Sequence, residues 1–385
     1  MKVCRSRQCL AIYVLTLSML QRGYCLQGPS SKIKLQSCDI ECKKDLRLLD
    51  NAESLLQGLR GGGEEESEYL AEKNELKNEA ISNELSSPIK FLSVLISGIL
   101  GVIKSNLSTG SSVVGFASLV AVSASALIPL AIIHQSYSFT VGYGASVAAM
   151  SLALLYAFSV PSLLSAIKLK SSPALLANFC LLYGIRLTSF LLLRNWNSPV
   201  RREQIKSKDT SSKLKRIPSA LSISIFYAFM VSPVYFALFY ENKISLSGSV
   251  LEKVQWVGVG LAFLGLSLEA ISDLHKYIVK RNNNAEYGGS VFVGPTGGAY
   301  ALCRHPNYLG EMLFWSGVYL GGSVVSIQKS IGGWACGTIG LYGITLIMRM
   351  ASKRLDEKQN NIYGGQPKYE EWKARVKASL IPFSE

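Results

Sequence analysis

Histidine is scarce in this chain: His134, His275 and His305 are the only three in 385 residues. That is too few for the clustered histidine boxes of membrane di-iron desaturases, and it excludes that class. The eight cysteines are scattered, at 4, 9, 25, 38, 42, 180, 303 and 336, with no C-x-x-C pair. Neither a zinc site nor a disulfide framework follows, so no metal is expected. There is no G-x-x-x-x-G-K-[ST] and no strand-borne G-x-G-x-x-G, which excludes the soluble nucleotide folds. Charge is thin too. Charged residues make up 17% of the chain against 49% hydrophobic, the balance of a polytopic membrane protein rather than of two soluble domains.

The charge that is present is unevenly placed. Residues 1–38 carry about +6, 39–88 about −7, and 89–385 about +15 of the net +14. The basic excess lies in loops between apolar runs, where it orients spans and meets phosphates, and nucleic acid is not an expected partner. Residues 1–27, with Lys2, Arg5 and Arg7 ahead of the apolar run Leu10–Leu20, have the layout of a signal peptide. Residues 28–88 read as an acidic, largely disordered linker. The signal points to the endoplasmic reticulum or, for an organism importing through the secretory route, a plastid membrane.

Seven runs beyond Pro88 are long and apolar enough to cross a bilayer: about 112–134, 138–160, 173–193, 217–240, 254–274, 309–327 and 331–350. The fold expected is therefore all-α, a polytopic transmembrane helical bundle of about seven spans behind a disordered acidic arm. Residues 89–172 form an N-terminal membrane region and 173–385 a second membrane domain. An eighth run, 89–104, is short. The loops 194–216, 275–308 and 351–385 are rich in Lys and Arg, which puts them on the cytosolic or stromal side and leaves 89–104 interfacial or re-entrant. Gly258-Val-Gly260 lies inside an apolar span and reads as close helix packing.

Chemistry concentrates in Arg304-His-Pro-Asn-Tyr-Leu-Gly-Glu311. Pro306 fits the first turn of a helix, and the free N–H groups there favour an anion such as a phosphate. Asn307 and Glu311, four apart, share one helix face. Arg186, Glu269 and Asp273 lie inside spans, where ionisable groups either pair structurally or line a polar cavity. The ends of the last four spans bring Glu269, Asp273 and Lys276 toward the octapeptide and toward Lys353, Arg354 and Glu357. Cations in such a pocket suit phosphates, while carboxylates and amides suit ribose hydroxyls or a carboxamide.

Several blocks in order carry a resemblance. They are Tyr183-Gly-Ile-Arg186-Leu with Phe190-Leu-Leu-Leu-Arg194-Asn-Trp196, then Glu269-Ala-Ile-Ser-Asp273-Leu-His-Lys276, Thr296-Gly-Gly-Ala-Tyr300, the octapeptide, and Tyr363-Gly with Tyr369-Glu-Glu-Trp372 and Ile381-Pro-Phe383. Over residues 173–383 the chain resembles the membrane family related to the C-terminal domain of steroid 5α-reductases, the DUF1295 group. The wider superfamily includes NADPH-dependent sterol reductases and isoprenylcysteine carboxyl methyltransferases, which use S-adenosylmethionine.

The resemblance implies that Asp273, Asn307 and Glu311 bind a nicotinamide nucleotide, with Arg186, Lys276, Arg304, His305 and Arg354 as further cofactor-binding candidates. The substrate implied is a lipid within the bilayer, steroid-like, isoprenoid or acyl, whose C=C bond is reduced. Tyr308 is the candidate acid beside Glu311. In steroid reductases the carbonyl-polarising Glu and Tyr come from an N-terminal half that is not matched here, and Tyr143 is a guess for that role. Arg304-His305-Pro306 is shared with the methyltransferase branch, so S-adenosylmethionine is the alternative cofactor. A non-catalytic membrane protein with this fold is the third reading. NADPH comes first because Asn307, Gly310 and Glu311 together resemble the reductase turn.

Overall fold

A computed structural model describes residues 97–241, 249–282 and 290–381. From Ile99 onward the described residues belong to one compact unit. The expected signal peptide, the acidic linker and residues 89–96 lie outside the described residues. Among the described residues the regular structure is helical, with no strand. A helical stretch reaches residue 108 and is followed by α1 (Ser112–Ile133), α2 (Val141–Ala157), α3 (Leu163–Leu169), α4 (Ser172–Asn197) and α5 (Pro199–Lys206). Then come α6 (Arg216–Tyr240), α7 (Val250–Asn282), α8 (Pro306–Lys329), α9 (Ile331–Tyr363) and α10 (Pro367–Arg375).

Helices occupy all seven predicted spans. Five of them, α1, α4, α6, α7 and α9, are long and apolar enough to cross a membrane. Helix α2 is shorter, at 17 residues. Helix α8 has the length, at 24 residues, but it is dotted with glycine and serine on its packed side. The helix starts follow local chemistry. The side chains of Ser111, Ser171, Ser198 and Ser330 accept a hydrogen bond from a first-turn N–H of α1, α4, α5 and α9, which satisfies a donor that the helix leaves open. Pro306 opens α8 as its first residue, where a missing N–H costs nothing.

In a bilayer the association of helices rests on close packing, because lipid is as apolar as leucine. The tightest seam joins α7 to α8. A Cβ added to Gly265 would stand 2.2 Å from the Phe314 nitrogen, and one on Gly317 would stand 2.3 Å from the Ala262 nitrogen. Gly258 meets Gly321, and Gly310 meets the backbone of Glu269, at similar range. Of the pair Gly258 and Gly260, only the first is in this seam; nothing lies within 4 Å of a Cβ on Gly260. The consequence for the site is direct. With Gly310 against Glu269, the acidic turn of α7 lies beside the turn of α8 that carries Asn307 and Glu311.

Helices α2, α4 and α6 close around α8. Gly144 and Gly184 let α2 and α4 approach at backbone distance. The core they share is aromatic: Tyr143, Tyr183, Tyr227, Phe314 and Trp315 are all buried, and Tyr183 stacks on Phe314 with centroids 4.4 Å apart.

Candidate functional site

Two polar clusters meet at the octapeptide. The first lies inside the bundle. Arg186 on α4 sends Nη1 to Asp273 Oδ2 and Nη2 to Glu269 Oε1, each at 2.9 Å. The contact with Glu269 is an ion pair without hydrogen-bond alignment, and Glu269 Oε2 and Arg186 Nε have no hydrogen-bond partner. Glycine contact across the α7–α8 seam brings in Asn307, which is within hydrogen-bonding reach of Asp273. Its buried Oδ1 has no hydrogen-bond partner. A buried acceptor of this kind is costly to leave unmade and suits a ligand N–H.

One turn along α8 the cluster becomes uncharged on one side. Tyr143 Oη donates to Glu311 Oε1 at 3.0 Å and lies 3.1 Å from Tyr183 Oη. Trp315 Nε1 donates to the same Tyr143 oxygen at 2.6 Å. Tyr183 Oη is also within reach of Glu311. Glu311 is 8% exposed and Tyr143 7%, so the carboxylate and the two phenols form a chain shielded from solvent, where hydrogen bonds polarise one another.

The second cluster is a clamp on the start of α8. Arg304 grips Asp356 of α9 with two nitrogens, Nε at 3.1 Å from Oδ1 and Nη2 at 2.9 Å from Oδ2. Its Nη1 donates to the carbonyls of Val376, at 2.9 Å, and of Lys377. His305 Nε2 lies 2.8 Å from Asp356 Oδ1, and Ser379 Oγ donates to Oδ2 at 2.6 Å. The backbone N–H groups of Arg304 and His305 donate to Ala378 and Ser379. Burial holds the His305 imidazole below its ordinary 6.5, opposed only in part by Asp356. A folded value below the unfolded one favours the neutral ring. Its contribution to stability is complete above pH 6.5 and is lost as the pH falls below it.

Beside the clamp, Lys276 and Lys280 on α7 face Phe292, Pro295, Gln359 and Trp372 across a cleft. Gln359 Oε1 is buried and has no hydrogen-bond partner. The cleft thus sets cations beside an aromatic wall, and the inner cluster holds an open amide near two carboxylates. Among the described residues, no three His, Cys, Asp or Glu side chains gather where a metal ion could be held.

The sequence candidates fall into three groups. Arg186, Asp273, Asn307 and Glu311 come together in the inner cluster, and Lys276 lines the cleft. Arg304 and His305 are engaged by Asp356 and the C-terminal segment, with the Tyr308 ring stacked on His305 at 5.6 Å between centroids. Arg354 stays on the exposed side of α9, its Nε donating to Met350 O at 3.2 Å. Sequence reasoning did not single out Asp356 or Trp315. Trp315 is four residues beyond Glu311 and so on its face; Asp356 is three beyond Lys353 and gives no sign of its partners.

Asp356 supplies a test of the clamp. Asp356→Ala should lower stability by about 2 kcal/mol, since it strands a charge-assisted donor set, and Asp356→Asn should recover part of that. Thermal unfolding of the purified protein, followed by tryptophan fluorescence, measures both; equal midpoints for wild type and the alanine variant would show that the clamp does not hold the start of α8.

A family model described as a protein of unknown function, DUF1295, matches residues 137–376. That stretch runs from the turn before α2 to the end of α10 and so takes in the inner cluster and, of the clamp, all but Lys377, Ala378 and Ser379. Comparison with curated proteins and with solved structures found no match.

Proposed function

Because the chain belongs to the DUF1295 family, whose description assigns no activity, we propose from the site itself that it is a membrane-embedded NADPH-dependent oxidoreductase. Its reaction is reduction of a C=C bond conjugated to a carbonyl in a steroid-like, isoprenoid or acyl lipid. The observation that carries this reading is the buried chain Tyr183, Tyr143, Glu311 and Trp315, one helical turn from Asn307 and the Arg186 cluster.

The nucleotide, when bound, supplies the hydride that adds to the β-carbon of the substrate. Asn307 and Asp273 would hold its carboxamide and ribose hydroxyls, and the Lys276 and Lys280 cleft its phosphates. Tyr143 does the acid work. With Glu311 protonated the bond between them reverses, Glu311 donating to Tyr143 Oη, and the freed Tyr143 O–H hydrogen-bonds the substrate carbonyl oxygen as negative charge grows there. Trp315 N–H, already aimed at the Tyr143 oxygen, steadies the charge left on it as the proton moves. Glu311, 3.0 Å away, passes its own proton to the Tyr143 oxygen as the phenol's proton moves to the carbonyl; solvent restores the Glu311 proton and protonates the α-carbon of the resulting enol, which releases its O–H proton. In this reading Tyr143 takes the acid role in place of Tyr308, whose ring packs on His305 at the start of α8.

The methyltransferase reading needs Arg304 and His305 at the cofactor. Here the Arg304 guanidinium and His305 Nε2 are committed to Asp356, which supports the reductase reading over it. The activity test is a lipid comparison. Cells lacking the protein should accumulate a lipid one C=C bond richer than its product, and wild type should restore the product. Tyr143→Phe should cut that turnover by about a hundredfold while the protein still accumulates in the membrane. An unmethylated lipid accumulating instead would overturn the proposal.

A further inference from the structure

We propose that residues 196–215 form a preformed contact surface for anionic phospholipid headgroups, independent of the reductase reading. The segment runs from the end of α4 to the start of α6, both of them long and apolar enough to cross a membrane, so it lies at a membrane surface. Residues 194–216 hold eight Arg or Lys against two acids, Glu203 and Asp209.

Of the two acids, Asp209 is turned inward, while Glu203 stays exposed. Asp209 accepts from the Gln135 N–H at 2.7 Å, lies 2.7 Å from His134 Nδ1, and pairs with Arg216 at 3.3 Å. Burial alone would raise its pKa and disfavour the carboxylate. The bonds from His134 and Gln135 and the charge of Arg216 outweigh that and hold it below the ordinary 3.8. Arg216, itself buried, also donates to the carbonyls of Ser211 and Ile132. Glu203 faces Lys206 at 3.2 Å on α5.

These ties staple the segment to the end of α1 and leave a cationic outer face. Arg202, Lys206, Lys208, Lys213 and Lys215 are exposed. Among them stand two apolar side chains that soluble surfaces rarely show, Trp196 at 81% exposure and Leu214 at 78%. Tryptophan at the end of a span belongs at headgroup level, and juxtamembrane cations are drawn to an anionic leaflet. Cations alone would suit any anion. The addition of Trp196 and Leu214 selects a lipid over a free phosphate.

The test is native mass spectrometry of the full chain extracted from vesicles of equal parts phosphatidylcholine and phosphatidylserine. Wild type should retain phosphatidylserine in preference to phosphatidylcholine. The variant R202Q/K206Q/K208Q/K213Q/K215Q should lose about tenfold of that preference, and R202K/K206R/K208R/K213R/K215R should keep it. Trp196→Ala, which leaves every charge in place, should lower it severalfold and serves if the quintuple variant fails to fold. Equal retention of both lipids by wild type overturns the proposal. So does displacement of phosphatidylserine by millimolar inorganic phosphate, which would mark a site for free anions.

Discussion

Replacing Arg186 by leucine should cost the fold on the order of 3–5 kcal/mol, the penalty of removing one partner from a buried charge cluster. Arg186 is 11% exposed and faces two carboxylates, Glu269 at 4% and Asp273 at 14%. Leucine fills much of the volume and supplies none of the charge, so two carboxylates would be left in an apolar bundle. The same physics predicts a rescue. Arg186→Leu with Glu269→Leu and Asp273→Leu should regain most of the lost stability, because a well-packed apolar set often matches the ion cluster it replaces. The triple variant would nonetheless lose the nucleotide contact proposed for Asp273. Unfolding midpoints of the purified proteins decide the matter, and a single variant as stable as wild type would show that the cluster is not buried as described.

The second large effect lies on the α7–α8 seam. Gly265→Leu should cost at least about 3 kcal/mol. Its first added atom would stand 2.2 Å from the Phe314 nitrogen and 2.6 Å from the Gly310 oxygen, and backbone atoms cannot rotate out of the way. The helices must part, and with them Glu269 from Gly310. Gly260→Ala is the control on the same helix. It meets nothing within 4 Å and should be neutral or gain up to about 1 kcal/mol from helix propensity. If both substitutions behaved alike, the seam would not be what holds the two halves of the site together.

The spans were legible because apolar runs of bilayer length leave few alternatives, and the seven predicted runs coincide with helices α1, α2, α4 and α6–α9. The grouping of Asn307 with Glu311, and of Glu269 with Asp273, was legible from four-residue spacing. Which helix faces which was not. Pairing of α7 with α8 depends on Gly265 meeting the backbone of Phe314 and Gly317 that of Ala262, and Gly260 carries the same letter with no partner. Arg304 and His305 illustrate the limit most plainly. As letters at a helix start they suit an anion, yet a carboxylate some fifty residues later, Asp356, takes them both. The part played by Tyr143 rests on two helices, α2 and α8, meeting in space, and no local pattern announces that.

The most direct measurement is equilibrium binding of NADPH and of S-adenosylmethionine to the purified protein in lipid nanodiscs, for wild type and Asn307→Ala. Wild type should bind NADPH saturably, and that binding should be lost or weakened by at least about tenfold in Asn307→Ala, whose missing amide would hold the carboxamide. Binding of S-adenosylmethionine without NADPH, or NADPH binding unchanged by the Asn307 substitution, would contradict the assignment of this site to a nicotinamide nucleotide.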